Sequence, residues 1–315
     1  MSYRFGPDFP DITYVPHAYA EKSADLGEIA MNYATAGSAQ SPALVLIPGQ
    51  TESWWGYEAA MKILEADFQV FAIDLRGQGR STRTPGRYTL DNIAGDVVRF
   101  IQIVVGRPCF VSGLSSGGVI SAWLSAFAPP GLVRAAIYED PPLYASQVSP
   151  ACGPSIREAI GPIFALWARY LGPQWSIGDW DGCVQAMASG AANLPLGRAP
   201  PAGEPPQNMK EYDPEWAHAF WTGSVYAGCD HDTMLKQVKT PVLFTHHFRR
   251  INEETGALFG AISDIQAARV KRTIEEVGQL FTYRSFPDMG HAMHAQDPAL
   301  YARTVKEWLA ALDER

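Results

Sequence analysis

The sequence has few cysteines and no long apolar run, and both shortages restrict what the protein can be. Its 315 residues include four cysteines, at positions 109, 152, 183 and 229, and none of them forms a C-x-x-C pair. We therefore expect free thiols in a reducing, cytoplasmic setting rather than a disulfide framework. No stretch approaches the roughly 18 apolar residues of a membrane span. The N-terminus also lacks the apolar segment of a secretory signal, so we expect no membrane partner.

Positive charge and grouped metal ligands are scarce as well. The 25 basic residues face 33 acidic ones, which gives a net charge of −8, and no basic stripe points to nucleic acid as a partner. His246 and His247 are adjacent and should diverge on a strand, while His291 and His294 have no acid at ligand spacing. His231 lies between two aspartates, which is too little for a metal site. We predict no metal and no cofactor.

A strand–turn–helix segment around Ser115 carries the strongest chemical signal. A β-prone run at 108–112 leads into G-L-S-S-G at 113–117, and a helical pattern follows at 119–127. In this context G-x-S-x-G is typical of a nucleophile elbow, in which the serine lies in a strained turn at the top of a sheet. Gly113 and Gly117 have no Cβ, so the strand and the helix can close around the serine. We predict that Ser115 is a nucleophile.

Buried strands and helices alternate along much of the chain, which predicts an α/β fold with a mostly parallel central sheet flanked by helices. We predict strands at 29–36, 43–47, 69–74, 108–112, 135–138, 241–245 and 280–286. We predict helices at 56–65, 91–105, 119–127, 264–277 and 298–312.

The alternation stops after Pro142 and resumes near 236. The intervening residues, 143–235, are rich in tryptophan and contain a proline-rich loop at 198–207. We expect a mainly helical cap there, inserted between the core segments 24–142 and 236–315. Residues 1–23 are rich in proline and aromatic residues and have no obvious strand partner within the chain. We predict that they form an N-terminal arm, which makes a homo-oligomer the expected assembly.

A serine hydroxyl needs a base, and His291 is the candidate. It follows the last predicted strand in P-D-M-G-H, where a loop can carry an imidazole over Ser115. His294 is the competitor, and we expect it to support the site or to form a wall of the pocket. The oxyanion hole should use the backbone amides of Ser116 and Gln50, because Gln50 follows the strand at 43–47.

Three residues compete for the catalytic acid. Glu139 ends the strand after the elbow, so it should emerge at the same sheet edge as Ser115, and we favour it. Asp140 is adjacent and should point the other way if the strand geometry holds. Asp264 begins the helix predicted after the strand at 241–245, where it can instead cap that helix.

Several motifs together resemble a known family. From 24 to 312 the chain resembles α/β-hydrolases, through D-L-R-G-Q-G-R-S at 74–81, G-L-S-S-G at 113–117, E-D-P-P at 139–142 and P-D-M-G-H-A-M-H at 287–294. It further resembles bacterial zearalenone lactonases, through Q-T-E-S-W-W at 50–55, R-G-Q-G-R-S-T at 76–82, Q-W-S-I-G-D-W at 174–180, K-E-Y-D-P-E-W at 210–216 and T-H-H at 245–247. The E-x-P sequence beginning at Glu139 also resembles the motif that carries the acid in related lactonases.

The resemblance implies a serine hydrolase that opens the lactone ester of zearalenone-type resorcylic acid macrolactones through an acyl-enzyme, without a cofactor. Its partner would be a small aromatic macrolactone, which aromatic rings of the cap could bind, although such rings more often form the core of a cap than the lining of a pocket. The alternatives are a carboxylesterase or C–C bond hydrolase acting on another aromatic substrate, and a hydrolase-fold receptor with slow turnover. The candidate substrate-binding residues are Trp54, Trp175, Trp180, Trp216, Trp221 and His294.

Overall fold

A central sheet of eight strands organises the molecule. The computed structural model describes residues 11–146, 156–189, 200–254 and 256–313. Within these ranges the strands are β1 (Glu21–Asp25), β2 (Ala30–Ala36), β3 (Ala43–Ile47), β4 (Gln69–Ile73), β5 (Cys109–Leu114), β6 (Val133–Glu139), β7 (Val242–His246), β8 (Arg250–Ile251), β9 (Leu258–Phe259) and β10 (Phe281–Ser285). The sheet order is β1-β2-β4-β3-β5-β6-β7-β10, while β8 and β9 form a separate hairpin.

The sheet is parallel from β4 to β10, and only β1 and β2 run antiparallel to their neighbours. The predicted mostly parallel α/β fold is therefore confirmed. The helices are α1 (Glu58–Leu64), α2 (Leu90–Phe100), α3 (Ser116–Phe127), α4 (Ile156–Tyr170), α5 (Trp180–Ala188), α6 (Gln207–Lys210), α7 (Pro214–Thr222), α8 (His231–Leu235), α9 (Asp264–Glu276), α10 (Met293–Gln296) and α11 (Pro298–Asp313).

Strand β3 shows why a central strand of this sheet is a continuous apolar run in the sequence. All five of its residues are buried, because helices cover both faces of the sheet. Val45 belongs to the core under α2, α3 and α9, whereas Leu44 and Leu46 belong to the core under α1 and α11. The side-chain period of two therefore divides one continuous apolar run between two cores, and it places the carboxyl end of β3 next to that of β5.

Five helices, α4–α8, lie between β6 and β7, where the sequence predicts a helical cap. The ring centroids of Phe164 on α4 and Phe220 on α7 are 4.3 Å apart, so these helices share an aromatic contact. Two stretches of the predicted cap, 147–155 and 190–199, lie outside the described residues, and Cys152 is among them.

The N-terminal segment corrects one expectation. Strand β1 pairs antiparallel with β2, so residues 21–23 of the predicted arm belong to the sheet and do have a strand partner in the chain. Before it, the amide of Ala18 donates to Glu58, and the hydroxyl of Tyr19 donates to Glu65 at 3.0 Å. The described part of the arm therefore lies on its own chain. Residues 1–10 lie outside the described residues, and the homo-oligomer stays a prediction.

Three absences can be stated for the described ranges. No helix there has the length and apolarity that a bilayer span requires. No three histidine, cysteine, aspartate or glutamate side chains within 11–146, 156–189, 200–254 and 256–313 are grouped closely enough to hold a metal ion. Cys109, Cys183 and Cys229 are buried free thiols.

Candidate active site

Ser115 lies in a strained turn between β5 and α3. Its backbone has φ 55° and ψ −119°, a conformation that L-residues seldom adopt outside functional turns. A Cβ on Gly113 would come within 2.1 Å of the carbonyl oxygen of Gly117, and one on Gly117 within 2.3 Å of the carbonyl oxygen of Ile47. Only glycine fits at either position, so the motif permits the tight packing that exposes Ser115 at the sheet edge.

Two backbone amides flank Ser115. Ser116 begins α3, so its amide is one of the helix's first amides, which have no carbonyl partner inside the helix and lie at the positive end of its dipole. Gln50 follows β3 beyond Gly49, and the position of a Cβ on Gly49 would be only 3.3 Å from the Cβ of Ser115. Within the described chain, the amide of Gln50 donates to no backbone carbonyl. The two predicted donors therefore lie beside the nucleophile, where an oxyanion would form.

His291 is held by Asp140. Its Nδ1 lies 2.7 Å from Oδ2 of Asp140, whose side chain is 1% exposed, while 45% of the imidazole side chain is exposed. The other carboxylate oxygen of Asp140 accepts the amide of His247 at 3.1 Å. The carboxylate is thus fixed from two sides, and the Nε2 of His291 is the nitrogen that can exchange a proton with a substrate or with Ser115.

This pairing corrects the preferred assignment of Glu139. The carboxylate of Glu139 accepts the amide of His294 at 3.0 Å and lies 3.0 Å from its Nδ1, and both side chains are fully buried. Glu139 is still part of β6, so its side chain follows the pleat into the core. Asp140 leaves the strand with φ 42°, and this left-handed turn directs its carboxylate to His291. The expectation that Asp140 points away from His291 was wrong.

Asp264 forms its contacts at the surface, away from Ser115 and His291. Its side chain is 71% exposed and forms an ion pair with Arg249 at 2.9 Å. It occupies the first turn of α9, whose N-cap is Ser263. Asp264 is therefore a surface residue at the start of a helix, as one of the sequence interpretations allowed, although the cap itself is the preceding serine.

His247 is a supporting residue that the sequence interpretation missed. Its Nδ1 lies 3.0 Å from the carbonyl oxygen of Gly290 and 2.9 Å from that of His291, and its Nε2 lies 3.0 Å from the hydroxyl of Thr245. It thus ties the loop that carries His291 to the end of β7. The available signals were the histidine pair after a buried strand and the T-H-H segment at 245–247, and neither indicates a supporting role for His247 by itself.

The two carboxylate–histidine pairs shift the protonation of all four groups. Partial desolvation by the surrounding residues disfavours the imidazolium of His291, but the hydrogen bond and charge of Asp140 outweigh it and raise the pKa of His291 above its usual 6.5. Burial alone would raise the pKa of Asp140, yet His291 and His247 hold that pKa below its usual range. In the same way, burial is outweighed by attraction within the other pair, so the pKa of Glu139 is lowered and that of His294 is raised.

The raised pKa of His291 predicts a specific pH dependence. His291 must be neutral to accept a proton, so kcat/KM should increase with pH, with the midpoint of its acid limb above about 6.5. Asp140→Asn removes the charge that stabilises the imidazolium, so the limb of the residual activity should move to lower pH. The measurement is kcat/KM for a neutral ester across acidic and neutral pH. A wild-type limb below that value would contradict the assignment of the base.

Ser115 and His291 open into one cavity with a volume of about 320 Å³. Its polar lining consists of the residues described above, and the rest is apolar and comes mainly from the cap and from the segment 248–261, with Pro142 and Gly290 close to Asp140 and His291 in the sequence. No lysine or arginine lines it within the described residues. The lining residues are Gln50, Ser115, Ser116, Asp140, Pro142, Ile160, Phe164, Phe220, Phe248, Phe259, Gly260, Ala261, Gly290 and His291.

The five tryptophans and His294 do not line this cavity, so the expected lining was wrong. Four indole N–H groups have partners elsewhere: Trp54 donates to Glu21, Trp175 to the carbonyl of Gly79, Trp180 to that of Pro201 and Trp216 to that of Arg76. Trp221 is 44% exposed, and His294 is fully buried with its ring stacked on Tyr57. The aromatic composition indicated a cap with an aromatic core, but it did not indicate which helix faces are turned towards the cavity.

Phenylalanines form the aromatic wall instead. Phe164 and Phe220 come from α4 and α7, while Phe248 and Phe259 lie at either end of the β8–β9 hairpin. In the sequence these hairpin residues flank a charged run, R-R-I-N-E-E-T-G. Two phenylalanines on either side of a charged run were the available signal, because in the structure both are exposed or half-buried at the cavity.

Comparison with known proteins identifies the family but not the substrate. In sequence, the chain is 31% identical over 104 residues to 3-oxoadipate enol-lactonase 2 of Acinetobacter baylyi, which is 32% of this chain and 38% of that protein. It is 29% identical over 104 residues to mouse epoxide hydrolase 4, which is 32% of this chain and 29% of that protein. The aligned regions therefore span well under two thirds of these relatives.

Two solved structures share the fold. A hydrolase from Pseudomonas aeruginosa has a TM-score of 0.64 at 20% identity and covers 93% of this chain and 99% of its own. The enol-lactonase from Burkholderia xenovorans has a TM-score of 0.60 at 16% identity and covers 92% of this chain and all of its own. The model of the alpha/beta hydrolase family matches residues 44–304, and the chain belongs to that family.

Proposed function

We propose that the protein is a serine hydrolase that cleaves a neutral, apolar ester or lactone through an acyl-enzyme. The observation that carries this proposal is the 2.7 Å pair of His291 and Asp140, which opens into the same cavity as Ser115 at its strained elbow. A serine at neutral pH requires such a base, and the base requires an acid that fixes its tautomer.

The reaction follows from these positions. The Nε2 of His291 accepts the proton of Ser115 as its Oγ attacks the carbonyl carbon, and the amides of Gln50 and Ser116 stabilise the oxyanion. The tetrahedral intermediate collapses, the C–O bond to the leaving alkoxide breaks, and His291 gives its proton to that oxygen. Water then attacks the acyl carbon while His291 takes one of its protons. The second tetrahedral intermediate collapses, the bond between the acyl carbon and the Oγ of Ser115 breaks, and His291 returns the proton to Oγ, which releases the acid and free Ser115.

The nucleophile favours carbonyl chemistry over the epoxide opening named for some relatives. If Ser115 attacked an epoxide carbon, the product would be an ether, which has no carbonyl for water to attack. Attack on an ester or lactone instead gives an acyl-enzyme that the same oxyanion hole can help to hydrolyse. A serine at position 115 therefore supports an ester or lactone hydrolase.

The cavity supports an apolar and uncharged substrate. Its volume of about 320 Å³ is at the lower end of the usual range for small-molecule sites. An anionic substrate would lose its hydration there without gaining a cationic partner. Together with the sequence resemblance, this supports zearalenone-type macrolactones, which combine an aromatic ring with a neutral lactone. A carboxylesterase acting on another aromatic ester would use the same residues.

Two substrate comparisons test this proposal. Purified protein should convert zearalenone to its ring-opened acid, with a kcat/KM well above that for a short acetate ester. It should also cleave a neutral aryl ester at least roughly tenfold faster than the same ester carrying a distal carboxylate, because the charge would be buried without a partner. Chromatography follows the first reaction and absorbance follows the second.

Each outcome has a separate meaning. Good esterase activity without ring opening would reject the macrolactone and leave the carboxylesterase. Equal rates on the neutral and anionic esters would contradict the apolar selectivity of the cavity. No activity on any ester, together with slow turnover of every lactone tested, would favour the receptor alternative.

A further inference from the structure

One short segment of the cap holds the loop that carries an oxyanion donor. We call residues 48–55 the oxyanion loop and residues 207–212, which comprise α6 and the next two residues, the cap clamp. The hydroxyl of Tyr212 donates to Oε1 of Gln50, and Nδ2 of Asn208 donates to the carbonyl of Thr51 at 2.8 Å. The two partners in each pair are more than 150 residues apart in the chain.

A third clamp residue binds the far end of the same loop. The carboxylate of Glu211 accepts the hydroxyl of Ser53 and also the indole N–H of Trp55, the latter at 2.9 Å. Its other oxygen accepts the side-chain amide of Gln207 at 2.6 Å, so the clamp is also braced within itself. Three side chains of one cap segment therefore contact four residues of the oxyanion loop.

The conformation of the loop explains why it requires support. Thr51 has φ 60°, a left-handed conformation that is unfavourable for a β-branched residue. The loop's own hydrogen bonds are three and all are local: the amide of Gly49 donates to the carboxylate of Glu52 at 3.0 Å, the amide of Glu52 to the carbonyl of Gly49 at 3.4 Å, and the hydroxyl of Thr51 to the carbonyl of Gln50 at 2.6 Å. A strained loop with little internal bonding keeps its shape only when its surroundings fix it.

The clamp is buried, which strengthens its hold. Tyr212 is fully buried and Glu211 is 2% exposed, so their hydrogen bonds do not compete with water. Losing the hydroxyl of Tyr212 would leave Oε1 of Gln50 unpaired, next to an Nε2 that already has no partner among the described atoms. Gln50 would then be free to turn, and its backbone amide would lose its fixed direction.

We propose that the cap clamp positions the oxyanion hole, with Tyr212 as the positioning residue that acts through Gln50. This inference rests on the proposed function and extends it. In addition to forming a wall of the cavity, the cap would hold the oxyanion donor of Gln50 in the position that catalysis requires. An oxyanion donor stabilises the transition state more than the bound substrate. Loosening it should therefore lower kcat and leave KM nearly unchanged.

The test is Tyr212→Phe, which removes one hydroxyl and keeps the ring. We expect kcat for a neutral aryl ester to fall about tenfold, less than the roughly 10²- to 10³-fold loss of a whole donor. KM should stay within about twofold, and affinity for a boronic acid, which forms a tetrahedral adduct, should fall with kcat. In a Gln50→Ala background the same substitution should have little further effect, because the two residues act as one unit.

Tyr88→Phe is the matched control. Its hydroxyl donates to Asp213 of the cap at 2.5 Å and is also buried, but it does not contact the oxyanion loop. It should lower the melting temperature of the protein without the loss of kcat. Equal losses of kcat in both variants would mean that any loosening of the cap suffices, and would overturn the role of Tyr212, as would an unchanged kcat in Tyr212→Phe. An inactive wild type that does not react with a fluorophosphonate at Ser115 would instead reject the proposed function.

Discussion

Ser115→Ala is expected to lower kcat by roughly 10⁴- to 10⁶-fold while the protein remains folded. The substitution removes the atom that forms the acyl-enzyme, and neither His291 nor the oxyanion hole can replace it. The effect on folding should be small, because alanine keeps the same Cβ in the same strained turn, and Ser115 Oγ makes no helix-capping bond. The measurement is kcat on the best ester or lactone found, with circular dichroism as the check on folding.

Ser121→Ala provides the matched control for this experiment. Ser121 is a fully buried serine on the same helix, α3, and its hydroxyl has no partner among the described atoms. The same change of atoms should therefore leave kcat within a few-fold of wild type. If Ser115→Ala kept more than a few per cent of the activity, Ser115 would not be the nucleophile. His291→Ala should match Ser115→Ala, and the double variant should be no worse, because triad residues act as a unit.

The fold could be predicted because its signals are local and periodic. The apolar run at 43–47 corresponds to β3 residue for residue, and the G-x-S-x-G segment gave the turn between β5 and α3. The boundaries moved by only a few residues, as for the helix predicted from 119, which begins at Ser116. Strand β1 was missed because its five residues, E-K-S-A-D, form an exposed edge strand without a buried face to mark it.

The candidate site was predictable only in part, because a triad depends on the direction of individual side chains. The sequence narrowed the candidates for the acid to a short set, and that set included Asp140, the carboxylate that contacts His291. The choice between Glu139 and Asp140 depended on whether the strand's alternation continues past Glu139, and a single positive φ at Asp140 ends it. Aspartate is one of the few residues other than glycine that tolerates this conformation, and this was the available signal.

The Glu139–His294 pair has a different task from the one predicted for Glu139. It is fully buried beneath the loop of His291, and Glu139 also accepts the amide of His294 at 3.0 Å. The backbone carbonyl oxygen of Glu139 accepts the amide of Ser115 at 2.8 Å. Glu139 therefore anchors both the histidine loop and the elbow without contacting the reacting atoms.

This difference in roles predicts different losses for Asp140→Asn and Glu139→Gln. Asp140→Asn removes the charge that orients and stabilises the His291 imidazolium, so kcat should fall by about 10⁴-fold with little change in KM or in melting temperature. Glu139→Gln leaves a buried His294 without its counter-charge, so it should cost about 3–5 kcal/mol of unfolding free energy. Its kcat should fall far less at temperatures where the variant is folded.

Asp264→Asn completes the comparison. The side chain of Asp264 is 71% exposed, and its ion pair with Arg249 is of the surface type that contributes at most about 1 kcal/mol. Both kcat and the midpoint of urea unfolding should therefore stay close to wild type. Measuring kcat, KM and urea unfolding for all three variants separates the roles. A different result would contradict this assignment: a large loss of kcat in Glu139→Gln with unchanged stability, and an active Asp140→Asn. Glu139 would then be the catalytic acid, and the 2.7 Å pair of His291 and Asp140 would not take part in the reaction.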